Sequence, residues 1–271
     1  MISASVVLYN TKGKDLKRLL SSYSPNENRR LFVIDNSERK APYCDRISNE
    51  YVEYIFTGKN LGYGKAHNIG IRRAFEIGSD YHLVVNPDVS FKTEILDELV
   101  KYADENRDVV YILPKVLNPK GELQYLCKLL PTPFDLIFRR FFPSIGPIKR
   151  QNDRYTLKKT GYNRIMNPPC LSGCFMFMRT KTLRKHKLLF DERFFMYCED
   201  FDLIRRLHRV GKTVFYPYCS IVHNHAKQSY KSIKMTIIHI MSACKYFNKF
   251  GWFHDEERNI YNKRFQLKSK E

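Results

Sequence analysis

Five short apolar runs, Ser5–Tyr9, Leu31–Ile34, Val52–Phe56, Tyr81–Val85 and Val109–Leu113, each give way to polar residues, and stretches of helical spacing separate them. Leu16, Leu19 and Leu20 mark one such stretch, Ile69, Ala74 and Ile77 a second, and Ile95, Leu96, Leu99 and Tyr102 a third. Strands this uniformly apolar need cover on both faces, which helices in the connections supply. The pattern therefore predicts successive βαβ units in an α/β domain with a mostly parallel central sheet. A chain of 271 residues is long enough to bury one large core of that kind.

The alternation lapses from about residue 118 to 165, where proline, basic and aromatic residues mix, as in Phe134-Asp135-Leu136-Ile137-Phe138-Arg139-Arg140-Phe141-Phe142-Pro143. Long irregular insertions in compact domains usually serve a function. Order returns with a strand over Gly173–Met178, a short helix near Lys181–Lys187, a helix from Glu199 to Val210, and strands around Thr213–Tyr216 and Ser220–Val222. Beyond these, Ile233, Ile237, Ile240, Cys244 and Phe247 recur at helical spacing with Lys231, Lys234, Lys245 and Lys249 among them, which predicts a basic amphipathic helix. The expected division is a domain over 1–226, with 118–165 inserted in it, and a helical extension over 227–271.

Lys and Arg number 47 against 28 Asp and Glu, a net charge of +19. Residues 128–164 hold nine basic and two acidic side chains, and residues 226–271 hold ten and four. A field of that sign attracts nucleic acid, anionic lipid or phosphorylated substrates, with a solvated basic surface as the plainer reading. Seven cysteines without CxxC spacing argue against a disulfide framework or a zinc knuckle and for buried thiols in a reducing cytosol. The first residues carry no basic region or cleavage site, so no secretion signal is expected. The longest apolar-leaning tract, Thr236–Phe253, contains His239, Lys245, Asn248 and Lys249 and falls short of the roughly 20 apolar residues that a spanning helix needs.

Ligands of open parallel sheets sit outside the carboxyl ends of the strands, so polar residues that end apolar runs are candidates. Asp35, after Phe32-Val33-Ile34, is placed to accept hydrogen bonds from a base or ribose, or to cap a turn. Asp88, in Asn86-Pro87-Asp88, has the hard oxygen chemistry for a divalent ion bridging phosphates, or forms an Asx turn. Asn60-Leu61-Gly62-Tyr63-Gly64-Lys65-Ala66-His67-Asn68-Ile69-Gly70 follows a strand and opens a helix, as a phosphate-holding loop would. His67 stands where the dinucleotide fingerprint has its third glycine, which disfavours a nicotinamide enzyme, and no Walker motif is present. Glu199 and Asp200 put two carboxylates at the start of a helix behind Phe194-Phe195-Met196-Tyr197, where a carboxylate can take a proton from a bound hydroxyl or simply complement the helix dipole. His223 and His225 lie one residue apart past a strand, on one side of it, as metal ligands, donors to a phosphate, or ordinary histidines.

The ordered set Val7-Leu8-Tyr9-Asn10, Ile34-Asp35-Asn36-Ser37, the glycine-rich loop, Asn86-Pro87-Asp88, Gly173-x-Phe175-Met176, the Glu199-Asp200-x-Asp202-Leu203 segment and His223-x-His225 resembles glycosyltransferase family 2, in its bacterial rhamnosyltransferase-like branch. The resemblance covers roughly residues 3–226. It implies a Rossmann-like GT-A fold, a nucleotide-diphosphate sugar donor, a Mg or Mn ion, and transfer with inversion at the anomeric carbon. Carried over by position, Tyr9, Asp35, Asn60, Gly62, Lys65, Asn68, Asn86 and Asp88 form the nucleotide-sugar site, with Asp35 at the base. Asp88 holds the metal, with His223 or His225 at the diphosphate. Asp200 becomes the base, with Glu199 beside it. Many relatives of this fold carry Asp-x-Asp where this chain has Asn86-Pro87-Asp88, so one carboxylate stands there and metal affinity is expected to be modest.

The resemblance also implies rhamnose as the first choice of sugar, with UDP-hexose, UDP-galactofuranose or UDP-N-acetylhexosamine on the same scaffold as alternatives, in surface polysaccharide synthesis of the O-antigen or capsule kind. Aromatic bulk beside basic charge in the insertion and the extension points to peripheral attachment to an anionic membrane, on the inner face of the plasma membrane of a cytoplasmic protein. A polyprenyl-diphosphate-linked glycan would be the acceptor there. Two rival classes are a basic nucleic-acid-binding protein, for which no binding motif is found so that no nucleic acid partner is expected, and a silent sugar-nucleotide-binding subunit, against which Asp88, Asp200 and His225 argue.

Overall fold

The computed structural model describes residues 1–40, 43, 46–138, 146–224 and 233–268. His225, Lys231, the stretch 139–143 of the basic-aromatic run and the side chains of Ile137 and Phe138 lie outside the described residues. All five apolar runs are strands: β1 (Ile2–Leu8), β2 (Arg29–Asp35), β3 (Val52–Phe56), β4 (Tyr81–Val85) and β6 (Val109–Leu117), joined by the two-residue β5 (Val89–Ser90), β7 (Phe175–Arg179) and β8 (Lys212–His223). The helices are α1 (Gly13–Tyr23), α2 (Tyr63–Glu76), α3 (Glu94–Glu105), α4 (Gly146–Tyr155), α5 (Thr180–Lys185), α6 (Glu199–His208), α7 (Ile233–Phe250) and α8 (Glu256–Lys268).

One eight-stranded sheet runs β3-β2-β1-β4-β7-β6-β8-β5. The first four strands are parallel, with Leu8 level with Asp35 and Val6 level with both Val33 and Val85. Of these, β1 and β4 are buried almost throughout, as strands covered on both faces must be, while β3 at the edge is mostly half-exposed. β7 runs antiparallel between β4 and β6. It follows the long insertion, which returns the chain to the opposite end of the sheet, so no helical crossover sets its direction.

The two strands expected near 213–216 and 220–222 are one strand with a bulge. β8 pairs with β6 through Pro114 and Tyr216, and the next pair is Lys115 and Ser220, so three extra residues of β8 are looped out and Tyr218 is exposed. Past the bulge β8 stays paired with β6 as far as Leu117 and Val222, and its other edge takes β5, Val89 against His223.

α7 is half committed to the core. Ala243, Tyr246 and Phe247 join Leu130, Leu136, Phe194, Cys198 and Phe201 in a second apolar cluster, while Ile233, Ile237 and Met241 are exposed. Two of the lysines that give this helix its basic character bond the protein: Lys245 donates to the Arg193 carbonyl at 2.7 Å on the surface, and Lys249 pairs with Asp191 at 2.8 Å and with buried Asp202. α8, which the apolar spacing does not announce, has Ile260 and Leu267 exposed. Ion pairs of Asp255 and Glu257 anchor its start.

Candidate active site

β2 and β3 extend the sheet on one side of β1 and β4 on the other, so the carboxyl ends of β1 and β4 flank a switch point where ligands of such sheets enter. Tyr9, Asp35 and Asn86 all emerge at this edge. Asp35 is buried, and its carboxylate accepts from the Ser37 amide at 2.9 Å and the Tyr54 hydroxyl at 2.6 Å, while Tyr9 is half-exposed.

The glycine-rich loop is clamped onto the segment that leads to the carboxylate pair. The Gly62 amide donates to the Asn60 Oδ1 at 2.9 Å, the Asn36 amide donates to the Gly62 carbonyl at 3.0 Å, and the Tyr63 amide donates to the Phe195 carbonyl at 3.0 Å. Gly62 has φ +87°, and a side chain there would collide with the Phe195 carbonyl oxygen, so only glycine lets these two loops touch. The Tyr63 hydroxyl lies 3.0 Å from the Asn86 Oδ1 and 2.9 Å from the Gly173 carbonyl, tying three motifs to one ring. Burial, then the negative charges around it, keeps that hydroxyl a neutral donor.

His67 packs edge-on to Tyr63 at 4.4 Å and bonds Ser5 of β1 at 2.7 Å, and burial holds its pKa well below 6.5, so it anchors α2 as a neutral ring. Asn68 is fully buried. It donates to the Phe190 carbonyl at 2.9 Å and accepts from the Phe190 amide at 2.8 Å. Lys65 pairs with Glu192 at 3.2 Å. The structure therefore uses both side chains to fasten α2 to the loop before the carboxylate pair, rather than bringing them into the cleft.

The β5–β8 pairing sets His223 beside Asp88, with Nε2 at 3.3 Å from Oδ1. Burial opposes a charge on this imidazole, but Cys174 and Asp88 outweigh it and raise its pKa to about 10. Among the described residues no three His, Cys, Asp or Glu side chains converge on a metal position. Asp88 offers a carboxylate directly, and His223 offers its Nε2 once it gives up the proton it holds against Asp88, at a spacing that neighbouring ligands of one ion can share. This fits an ion such as Mg or Mn that takes its other ligands from phosphate and water. His225 lies outside the described residues.

Glu199 and Asp200 open α6 after two consecutive non-glycine residues in the left-handed region, Tyr197 at φ 69° and Cys198 at φ 64°. Each such residue costs about 1–3 kcal/mol and persists only where its surroundings impose it. The turn they make aims Asp200 into a cleft of about 360 Å³ that also takes in Tyr63, Asn86, Gly173 and His223. Asp200 accepts from the Phe201 amide at 2.9 Å and the Gly173 amide at 3.3 Å. A Cβ on Gly173 would stand 2.9 Å from the Asp200 Cβ, so the glycine makes room for the carboxylate.

The two carboxyls differ. Burial raises the pKa of Glu199 well above 4.5, the charge of Asp200 raises it further, and among the described residues nothing hydrogen-bonds its Oε2. Burial raises Asp200 as well, but the Lys128 ammonium and the two amides oppose the shift.

Lining residues absent from the motif set include Gln124, Lys128 and His239. The first two come from the insertion and the third from α7, segments whose sequence carries no spacing signal for a site. Gln124 donates to the His223 carbonyl at 2.7 Å, so the insertion braces the Asp88 side of the cleft.

A family model described as Glycosyl transferase family 2 matches residues 3–187. The chain is 28% identical over 242 residues to Rhamnosyltransferase WbbL of Escherichia coli K12, covering 85% of this chain and 87% of that one. It is also 28% identical over 235 residues to N-acetylglucosaminyl-diphospho-decaprenol L-rhamnosyltransferase of Mycobacterium tuberculosis, covering 82% of this chain and 75% of that one. Among solved structures it is similar to GalNAc-T7 with UDP, GalNAc and Mn2+, with TM-score 0.58 and 14% identity over 83% of this chain and 44% of that one. S. aureus TarS 1-349 in complex with UDP aligns with TM-score 0.53 and 16% identity over 89% of this chain and 64% of that one. At these identities the likeness is one of fold, GT-A, and the chain spans less than two thirds of either structure.

Proposed function

We propose that this chain, which belongs to glycosyl transferase family 2, moves a sugar, rhamnose before others, from a nucleotide-diphosphate donor to a hydroxyl of a lipid-linked glycan, with inversion at the anomeric carbon. The observation that carries the reading is the cleft itself, which sets the Asp200 carboxylate in one cavity with the Asn86 and His223 end of the sheet. Inversion asks for that arrangement: a base on the acceptor side, and donors or cations on the leaving side. Rhamnosyltransferase names among the relatives, one of them with a diphospho-decaprenol acceptor in its name, support the sugar and acceptor class.

In this mechanism the acceptor hydroxyl enters beside Asp200, which takes its proton as the oxygen attacks C1. The C1–O bond to the diphosphate breaks, and its electron pair leaves with the nucleoside diphosphate. Asp35, oriented by Tyr54, receives the nucleoside, while Asn60 and Gly62 shape the loop that Tyr63 ties to Asn86. Asn68 and Lys65 act one step back, by fixing α2 to the loop at Phe190 and Glu192. Asp88 and His223 would hold a divalent ion, whose positive charge would neutralise the diphosphate. Glu199 stays protonated and apolar-walled beside the base.

A thermal-shift panel of dTDP-rhamnose and UDP-sugars, with and without Mn, tests the donor assignment. One nucleotide sugar should stabilise the protein by about 2.7 kcal/mol at a hundredfold excess over its dissociation constant. Asp88→Asn should lose the Mn-dependent part of that gain. No response to any nucleotide sugar would contradict the reading.

Peripheral membrane attachment belongs to the same proposal. Ile233, Ile237 and Met241 leave an exposed apolar stripe on α7, and Phe134 is partly exposed. No helix among the described residues is long and apolar enough to cross a membrane. Flotation with anionic vesicles should recover the protein and neutral vesicles should recover less; equal recovery would remove this part of the reading.

A further inference from the structure

Lys128 lines the cleft from the insertion and is the one cation there that no motif announces. Its backbone is fixed, with its amide donating to the Cys170 carbonyl at 2.8 Å and the Cys170 amide returning a bond at 3.1 Å. Its ammonium stands 5.1 Å from the centroid of the Phe201 ring, the residue that follows Asp200. Among the described residues it has no carboxylate within ion-pairing distance; Arg205 and Arg206 of α6 and Lys249 of α7, by contrast, are paired. A half-buried ammonium held on an aromatic face and left without a contact ion pair sheds hydration with little direct return, which points to a charge across the cavity as its partner.

The groups that face Asp200 leave Lys128 as the cation that acts on it. Glu199 on α6 is held neutral by burial and by Asp200 itself. Tyr63 of α2, Tyr111 of β6, Cys170 before β7 and Cys198 before α6 are all driven toward their neutral forms by burial. Cys174 also lines the cleft, while His223 of β8 stands against Asp88, and His239 of α7 packs on Tyr197 at 5.3 Å. We propose that Lys128 is a positioning residue for the candidate base: its ammonium, seated on Phe201, is the counter-charge that keeps Asp200 in the proton-accepting form inside a cleft that otherwise favours neutral groups. The proposal rests on Asp200 being the base. The directions of the Asp200 shifts agree with it, since the ammonium works against burial.

The test titrates the side-chain carboxyl of Asp200 by carbon-13 NMR in the full chain, its signal assigned from the Asp200→Asn variant. Lys128→Met and Lys128→Gln should each raise the midpoint by about one pH unit or more, and Lys128→Arg should keep it near the wild-type value. Two neutral variants are used because the apolar methionine can disturb folding on its own. A midpoint unmoved in both overturns the proposal, as does a weaker grip on an anionic acceptor with the midpoint unchanged, which would make Lys128 an acceptor-binding cation. The titration needs no turnover, so its failure stands apart from failure of the base assignment, which Asp200→Asn tests by activity.

Discussion

An Asp200→Asn variant should bind its nucleotide-sugar donor as the wild type does and lose about 10²–10⁴-fold in turnover, the usual contribution of a positioned general base. Asparagine keeps the shape of the side chain and an oxygen for the Phe201 amide, so the cleft and α6 should stay in place. What it cannot do is take the acceptor proton. Glu199→Gln is the matched control, because burial and the Asp200 charge already hold Glu199 protonated, and a neutral amide imitates that state. Its turnover should stay close to wild type. Its stability should carry a pH signature of definite sign. Below 4.5 both folded and unfolded chains keep the Glu199 proton; above it the unfolded chain ionises while the folded one resists, so the wild type loses stability as pH rises and the glutamine variant does not. The gain in apparent Tm of Glu199→Gln over wild type should therefore widen from about pH 5 to pH 8. Initial rates at saturating donor, with donor affinity measured separately, decide the roles. Near wild-type turnover by Asp200→Asn, or equal loss in both variants, would reassign the base.

The parts legible in the sequence are those fixed by period and strand ends. Uniform apolar runs announced β1 to β4 and β6, and the polar residues that close them, Asp35 and Asn86 among them, emerge together because neighbouring parallel strands are in register. The conjunction of Asp88 with His223 was legible only as an ordered set of motifs; what joins them is a two-residue strand and a bulge, neither of which has a periodicity to read. Asn68 and Lys65 lie in the first turns of α2, yet the sequence does not say that Phe190 and Glu192 fold back to meet them. Lys128 and His239 reach the cleft from segments that looked like surface, because charge and aromatic content do not reveal which way a side chain turns. The same holds for Lys245 and Lys249, which the helical pattern placed on a basic face and which bond the protein instead.

Arg205→Met should lower the unfolding free energy by about 3–5 kcal/mol, the scale for breaking a buried pair by removing one partner. Arg205 sits on α6, five residues past Asp200, with 2% of its side chain exposed, and holds the equally buried Asp255 by two bonds, at 2.7 and 2.5 Å. It also holds Glu257 at 2.5 Å, and its guanidinium lies 4.1 Å from the Phe250 centroid. One side chain thus fastens the helix of the carboxylate pair to the end of α7 and the start of α8. Methionine fills the stem but leaves Asp255 charged in a dry site. Arg205→Lys should recover only part of the loss, since a single ammonium cannot fork between two carboxylates. Acid should expose the same link. Burial works against the Glu257 charge, but Arg209 and Arg205 outweigh it and lower its pKa from 4.5 to about 2, so its contribution is present above 4.5 and is lost as pH falls toward 2. In Arg205→Met that acid-dependent loss should shrink. Urea unfolding across this range measures both effects, and a change under about 1 kcal/mol at neutral pH would mean that α7 and α8 are held by their apolar contacts alone. Removing both buried charges, Arg205→Met with Asp255→Asn, should then cost less than Arg205→Met by itself, because no unpaired ion is left inside.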